Sequence, residues 1–370
     1  MAETDKKRFW TNDMEAIIAI TLVLLILGTI NVFSSSFIFA EAEFDTPYFF
    51  LKRHVINILI GLIAFGVCLY FDYHVWRRYI FFILTFTILA LIAVLIVGPV
   101  VNGARRWLPL VIVQFQPAEL AKLVAIMLAA AYISLKVKLE QRLNIFSVQA
   151  FIICFMSFLT ELEPDMGTGC IILGIPVIML VTSGLEFKKI GFLCFTAMAV
   201  IVGLIIKEPY RLERLKVLYD PWSDAQNYGY QTVQSLSAIG SGELTGMGLG
   251  VGVSKYDYLP EAHTDFAFAI FCQENGFLGA IFVFLLFAAF AVYAARIANK
   301  AKDEYGQILS MGIMILVVGQ AIANLLMVGG VIPVVGVPLP FISYGGTSLI
   351  ITMAAIGILV NIGKQGEKSG

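Results

Sequence analysis

Charge is scarce in this sequence. Asp, Glu, Lys and Arg make up 14% of its 370 residues and hydrophobic residues 59%, whereas an average soluble domain is roughly 25% charged. The five cysteines, at 68, 154, 170, 194 and 272, are scattered through apolar segments without a C-x-x-C pair, which argues against a disulfide framework or a zinc site. There is no P-loop and no dinucleotide fingerprint, so nothing points to nucleotide hydrolysis as a power source. A net charge of −1 leaves no basic excess for nucleic acid. Fixed-period repeats, and the inverted repeats of many transporters, are also missing.

Long apolar runs are what the chain has instead. A membrane-crossing helix needs about 20 predominantly apolar residues, and ten stretches are candidates: 14–33, 55–71, 79–101, 118–135, 147–162, 166–183, 190–206, 266–294, 307–330 and 346–362. The first ends in "NVFSSSF" with no clear cleavage site and reads as a retained span. The expected fold is an all-α polytopic membrane protein of about ten transmembrane helices. All of 1–370 forms one membrane domain, with a large extracytoplasmic loop at about 207–264 between helices 7 and 8.

Alternate connections carry most of the basic residues: Lys6, Lys7, Arg8, Arg77, Arg78, Lys136, Lys138, Arg142, Lys188, Lys189, Arg296, Lys300, Lys302, Lys364 and Lys368. Short basic connections stay cytoplasmic, which puts both termini there and 34–54, 102–117, 163–165, 207–264 and 331–345 on the outer face.

The polar motifs collect on that outer face. "NGARRWLPLVIVQFQPAELAK" (102–122) holds Arg105, Arg106 and Trp107, then Glu119 and Lys122, three apart on one helix face. Trp107 and the arginines could anchor the interface beside a structural Glu119–Lys122 pair; equally, the guanidinium groups and the lysine could form a site for a lipid-linked pyrophosphate. "ELEPDMGTG" (161–169) is a corner in which Asp165 suits an N-cap. Glu161, Glu163 and Asp165 together exceed what one cap needs and could mark a proton path or a cation seat.

The 207–264 connection starts with "EPYRLERLKVLYDPW", where Tyr210, Leu212, Leu215 and Leu218 could form one side of an interfacial helix. It continues into a glycine run, 240–252, that suits either turns or close approach to a ligand. It ends in "YLPEAHTDF", where Thr264 or Asp265 could be the N-cap of the next helix. "NLLMVGGVIPVVGVPLPFISYGGTS" (324–348) carries three prolines and five glycines between two spans. Non-helical backbone at membrane depth must be buried in protein or line a wet cavity. It is therefore expected to be a re-entrant-like loop, about 331–347, that presents Ser343, Tyr344 and the 345–348 backbone or acts as a rigid plug.

The run from Asn324 to Ser348, in order with "NGARRW", "QPAELAK", "EPDMGTG", "QSLSAIGSG" and "LPEAHTDF", resembles the SEDS family (shape, elongation, division and sporulation) of bacterial peptidoglycan glycosyltransferases. The resemblance covers nearly the whole chain and is nearer the division and sporulation branch than the rod-elongation branch. It implies a multi-pass protein of the bacterial cytoplasmic membrane whose outward-facing site polymerises lipid II into β-1,4-linked glycan strands. The implied partners are lipid II, a class B penicillin-binding protein that crosslinks the peptides, and other divisome or elongasome membrane proteins. A divalent cation, Mg or Mn, is the implied cofactor, and no nucleotide, haem or zinc is expected.

The family's essential carboxylate matches Asp265, expected to act as general base or metal-assisted orienter. Arg105, Arg106 and Lys122 would bind pyrophosphate, Glu119 and Asp165 would orient them, and Ser343 with Tyr344 would shape the sugar pocket, with His263 a structural partner or a proton shuttle. A metal would sit on Asp265, Asp165 or Glu119. The sequence departs from the family pattern at Ala118, Glu163, Glu243 and Gln273, none of them in the expected acid–base or cationic set. Two other function classes suit a many-span chain with intramembrane charge: a lipid II transporter and a noncatalytic scaffold for a crosslinking partner.

Overall fold

The computed structural model describes residues 12–101, 103–110, 114–207, 213, 215, 217–252 and 259–367. Lys6, Lys7, Arg8, Asn102, Tyr210, Leu212 and Lys368 lie outside the described residues.

A helix lies at each of the ten apolar stretches. They are α1 (Asp13–Phe44), α2 (Phe49–Tyr70), α4 (Ile80–Val97), α5 (Pro117–Lys138), α6 (Val148–Leu162), α7 (Met166–Thr182), α8 (Phe187–Lys207), α10 (Ala267–Asn299), α11 (Glu304–Val328) and α12 (Gly346–Glu367). Among the described residues seven helices are long and apolar enough to cross a membrane, while α6 and α7 are shorter apolar helices of 15 and 17 residues. A short α3 (Tyr73–Arg78) turns the chain between α2 and α4. The 32 residues of α1 extend about 48 Å at 1.5 Å per residue, well beyond a hydrocarbon core of about 30 Å.

Burial follows composition. α4 is apolar on all sides and exposes Phe81, Phe82, Phe86 and Leu89, the face expected toward lipid. α5 is instead buried on almost every side, from Ala118 to Ser134, and forms the middle of the bundle. α12 lies along α2, and α10 contacts α1 and α11.

Two features depart from the sequence expectation. The connection after α4 forms a two-residue antiparallel ladder, Leu108 with Phe115 and Pro109 with Gln114, in an otherwise helical protein. The long connection also contains a helix, α9 (Tyr230–Ser241), preceded by a 3₁₀ turn at Pro221–Asp224. The buried positions of α9 are Thr232, Ser235 and Ala238, small side chains that allow close packing against α10 but give little hydrophobic signal. Ser235 donates to the Val328 carbonyl at 2.7 Å, tying α9 to the end of α11.

α10 is broken at Gly276, whose φ of 66° and ψ of −167° lie outside the helical region. The 242–248 backbone takes up the freed peptide groups. Met247 and Gly248 N–H donate to the Gln273 and Glu274 carbonyls at 3.0 and 3.1 Å, and Phe277 and Leu278 N–H donate to Glu243 and Leu244 at 2.9 and 3.1 Å. The glycine run thus serves close approach to α10: a side chain on Gly246 would collide with the Glu274 backbone. Broken helices inside bundles survive where neighbours satisfy the backbone in this way.

The connections divide between two ends of the bundle. One end gathers the starts of α1, α4 and α11 with the ends of α2, α10 and α12, cross-linked by Lys300 to Asp13 at 2.5 Å, Asn12 to Glu367 at 2.8 Å and the Tyr73 hydroxyl to Asp303 at 2.9 Å. The other end gathers the starts of α2, α5, α7, α10 and α12, where the cavity lies.

Candidate functional site

The connection from α11 to α12 folds into the bundle rather than over it. Val337, Leu339, Phe341, Ile342 and Ser343 are buried, and a side chain on Gly28 of α1 or Gly167 of α7 would strike the backbone of Phe341 or Val335. Asn324, fully buried on α11, donates to the carbonyls of Val337 at 2.7 Å and Asp265 at 2.8 Å. One amide therefore pins the folded-in loop and the chain before α10 to the same helix.

Between these elements is a cavity of about 480 Å³, within the range of small-molecule sites. Arg106, Glu119, Asp165, Asp265 and Tyr344 lie on its wall, as does Trp107. Arg53 and Asn57 of α2, Gln114, Gln116, Thr168, Glu261, Thr264, Thr347 and Ser348 join them.

Asp265 is not a helix cap. The capping position of α10 is Phe266 with no side-chain bond, and Thr264 donates to Glu261 Oε2 at 2.7 Å instead. Among the described residues no hydrogen bond or ion pair engages the Asp265 carboxylate, which lies 3.5 Å from where a Gly336 Cβ would be. Burial pushes its pKa up to about 7, Glu261 and Asp165 add to the rise, and Arg106 opposes it. Desolvation disfavours the charged carboxylate, and a protein group whose pKa lies near neutrality is suited to proton transfer.

Asp165 does cap its helix, accepting the Thr168 N–H at 3.2 Å, and its other oxygen accepts from Gln116 Nε2 at 3.1 Å. Burial raises its pKa, against Arg106 and the Thr168 bond. Its neighbours at the corner diverge. Glu163 is fully buried with both carboxylate oxygens unbonded, and burial followed by the Asp165 charge pushes it up to about 9, so it is a neutral acid at pH 7. Arg106 holds the corner by its backbone, donating from Nε to the Glu163 carbonyl at 3.3 Å and from a terminal nitrogen to that of Pro164.

Four of the residues singled out in the sequence are not on the cavity wall. Arg105 donates to the Leu95 and Ile96 carbonyls at 3.4 and 2.9 Å and so closes the end of α4, as basic side chains commonly do. Lys122 is 3% exposed and lies between Glu119 Oε2 at 2.7 Å and Gln320 Oε1 at 3.0 Å, so its charge is neutralised inside the bundle. His263 packs among Phe39, Phe50 and Tyr344, and burial lowers its pKa against the opposing Glu261 charge. The Ser343 hydroxyl accepts the Leu339 N–H at 3.0 Å and closes its own turn.

Of the wall residues that the sequence did not single out, among them Asn57, Gln114, Gln116 and Thr168, the cation is Arg53. It stands within the 34–54 connection expected on the same face, among aromatic residues that gave it no motif. Its guanidinium covers the Phe49 ring at 4.4 Å and lies close enough to the Tyr344 hydroxyl to oppose the burial-driven rise in that group's pKa.

No cluster of three His, Cys, Asp or Glu side chains forms a metal centre among the described residues. The unbonded carboxylate of Asp265 nevertheless suits a cation shared with an anionic substrate, since Mg²⁺ is usually held by one or two carboxylates plus substrate phosphates.

Residues 14–368 match the family model described as cell cycle protein, that of FtsW, RodA and SpoVE. Stage V sporulation protein E of Bacillus subtilis (strain 168) is 38% identical over 351 residues, 94% of this chain and 96% of that protein. A protein named "Probable peptidoglycan glycosyltransferase FtsW" from Geobacter sp. (strain M18) is 36% identical over 349 residues, 94% of this chain and 95% of its own. Among solved structures, a chain from a peptidoglycan synthase complex that coordinates polymerization and crosslinking superimposes with a TM-score of 0.77 at 25% identity, covering 94% of this chain and 97% of that one. The rod shape determining protein RodA of Thermus thermophilus has the same fold at 22% identity, with a TM-score of 0.69 over 96% of this chain and 98% of that one.

Proposed function

The chain belongs to the FtsW/RodA/SpoVE cell cycle protein family, and on that footing we propose that it is a peptidoglycan glycosyltransferase that polymerises lipid II. The observation that carries the reading is the placement of a carboxylate, Asp265, unpaired among the described residues, and a guanidinium, Arg106, on the wall of one cavity. In this reading the cavity faces outward and both termini are cytoplasmic, which the basic residues gathered at the opposite end of the bundle support.

The 4-hydroxyl of the acceptor GlcNAc attacks C1 of the donor MurNAc, and the C1–oxygen bond to pyrophosphate breaks with inversion. Asp265 accepts the hydroxyl proton as the new bond forms. Its raised pKa keeps it basic enough for that task near neutrality. Arg106 meets the charge that develops on the departing pyrophosphate, where a fixed donor is worth most in a partly buried site. Asp165 holds Gln116 and the start of α7 beside that position. When bound, a divalent cation would supply Lewis-acid stabilisation to the pyrophosphate, held by Asp265 or Asp165. A class B penicillin-binding protein would crosslink the peptides of the polymer made here, in line with the synthase complex whose chain shares this fold.

The test is reconstitution: purified full-length protein, alone and with a crosslinking partner, receives labelled lipid II with Mg²⁺ or Mn²⁺, and products are resolved by length. Polymer from the wild type and none from well-folded Asp265→Asn is the expected result. Lipid II crossing liposomes without polymer under every condition would instead identify a transporter.

A further inference from the structure

The connection between α4 and α5 supplies much of the cavity wall, from Val101 through Arg106, Trp107 and Leu110 to Gln116. Its ladder has two strands, and an outer edge presents backbone groups that a third strand would bond. A side chain takes that place. Thr347, in the first turn of α12 and 7% exposed, donates its hydroxyl to the Gln114 carbonyl at 2.8 Å and accepts the Gln116 N–H at 3.0 Å. A hydroxyl carries one proton and two lone pairs, so a single oxygen can meet both groups.

The same connection is tied on a second side. Arg106 donates to the Glu163 and Pro164 carbonyls at the corner before α7, and Gln116 Nε2 reaches that corner through Asp165 at 3.1 Å. Among the described residues, Thr347 is the α12 side chain that hydrogen-bonds to this connection. α12 in turn continues the folded-in loop, whose Val337 carbonyl shares the Asn324 amide with the Asp265 carbonyl. Thr347 therefore joins the segment that bears Arg106 to the elements that fix Asp265. We propose that Thr347 is a positioning residue for glycosyl transfer, whose hydroxyl sets where Arg106 stands relative to Asp265 across the cavity.

This role rests on the polymerase reading, in which Arg106 meets charge that develops only in the transition state. Displacing such a group lowers kcat and leaves KM nearly in place, because ground-state binding is little changed. A shift of about 1 Å in a catalytic arrangement costs about a hundredfold in rate. The bonds from Arg106 to the corner remain when those of Thr347 are lost, so the shift is partial and the expected fall in kcat is about ten- to a hundredfold.

Thr347→Val keeps the shape and removes the hydroxyl, whereas Thr347→Ser keeps the hydroxyl and removes the methyl. Hydrogen exchange of the full-length protein in detergent, read on a peptide covering 103–117, measures the bracket without turnover: exchange should be faster in Thr347→Val and near wild type in Thr347→Ser. With labelled lipid II, Thr347→Val should lower kcat about ten- to a hundredfold with KM within about twofold, and Thr347→Ser should recover most of it. Adding Thr347→Val to Arg106→Gln should cost little further, since residues that act through one another are not additive. Fully additive losses would make Thr347 a direct substrate contact or a general support of the fold, and would overturn the proposal. So would a Thr347→Ser variant as slow as Thr347→Val, which also covers a valine variant that does not fold, or loosened exchange with kcat unchanged. A wild type that makes no polymer sinks the enzyme reading and this role with it; a wild type that polymerises while Thr347→Val keeps the same kcat sinks this role alone.

Discussion

The two ends of the helix bundle hold the same kinds of charged residue in opposite arrangements. At the end opposite the cavity, Asp13 meets Lys300 at 2.5 Å and Arg296 at 3.7 Å, and His74 bridges Asp72 and Asp303 at 2.6 Å each. Asp303 also caps α11 through the Gly306 N–H, and these bonds hold its carboxyl below its ordinary pKa despite the effect of burial. At the cavity end, Arg53, Arg106, Asp165, Glu261 and Asp265 line one wall, and among the described residues no ion pair joins them. Paired charges cross-link helices, while charges kept apart on a wall are available to a ligand. In a chain with so little charge, that distinction separates scaffold from site better than polarity does.

The sharpest way to break the comparison is to neutralise one group at each end. Asp265→Asn should cut polymerisation about a hundred- to ten-thousand-fold, the usual contribution of a positioned general base, with an unchanged melting curve in detergent. Glu119→Ala tests the Glu119–Lys122 ion pair at the cavity end. It leaves Lys122 buried and uncompensated, and breaking such a pair costs about 3–5 kcal/mol, visible as a fall in Tm. Asp303→Ala should cost about 2 kcal/mol through the lost cap and hydrogen bonds, lowering Tm while activity per folded molecule stays near wild type.

Two pH experiments probe smaller effects. The Glu163 pKa of about 9 lies above its ordinary value, so the fold favours the neutral acid. That contribution is complete below the ordinary carboxylate range and is lost as pH rises toward 9. Glu163→Gln, which keeps the shape without the proton, should flatten the decline of Tm between pH 5 and 9. For activity, the base must be ionised, so kcat/KM should rise through about pH 7. Arg106 holds the Asp265 pKa down, so the residual activity of Arg106→Gln should show this limb displaced to higher pH.

The sequence reveals the helices because lipid demands long apolar runs, and a helix occupies each run. It conceals α9, whose packed face is Thr232, Ser235 and Ala238 rather than leucine. It draws attention to Arg106, Glu119, Asp165, Asp265 and Tyr344, because a polar residue in a short connection of such a chain stands out, and the fold puts all five on the cavity wall. Arg105 and Arg106 are indistinguishable by neighbourhood, yet one turns to the end of α4 and the other to the corner before α7. Lys122 differs from them through Gln320, which is 198 residues away. Arg53 stayed hidden because only the packing of α2 along α12 brings it beside Tyr344. Residue type is local information, whereas the partner that decides a residue's role is not.

The break at Gly276 bears on how the protein can change over generations. Four peptide groups of α10 find their partners in residues 243–248, so loop and helix are inherited as one piece: neither can be exchanged for a relative's version without the other. Lengthening the chain between 242 and 248 would strand those groups, and a buried polar group left unpaired costs about 1–3 kcal/mol. The exposed turns at 222–228, which bond chiefly to each other, can accept extra residues without disturbing the register that fixes Asp265.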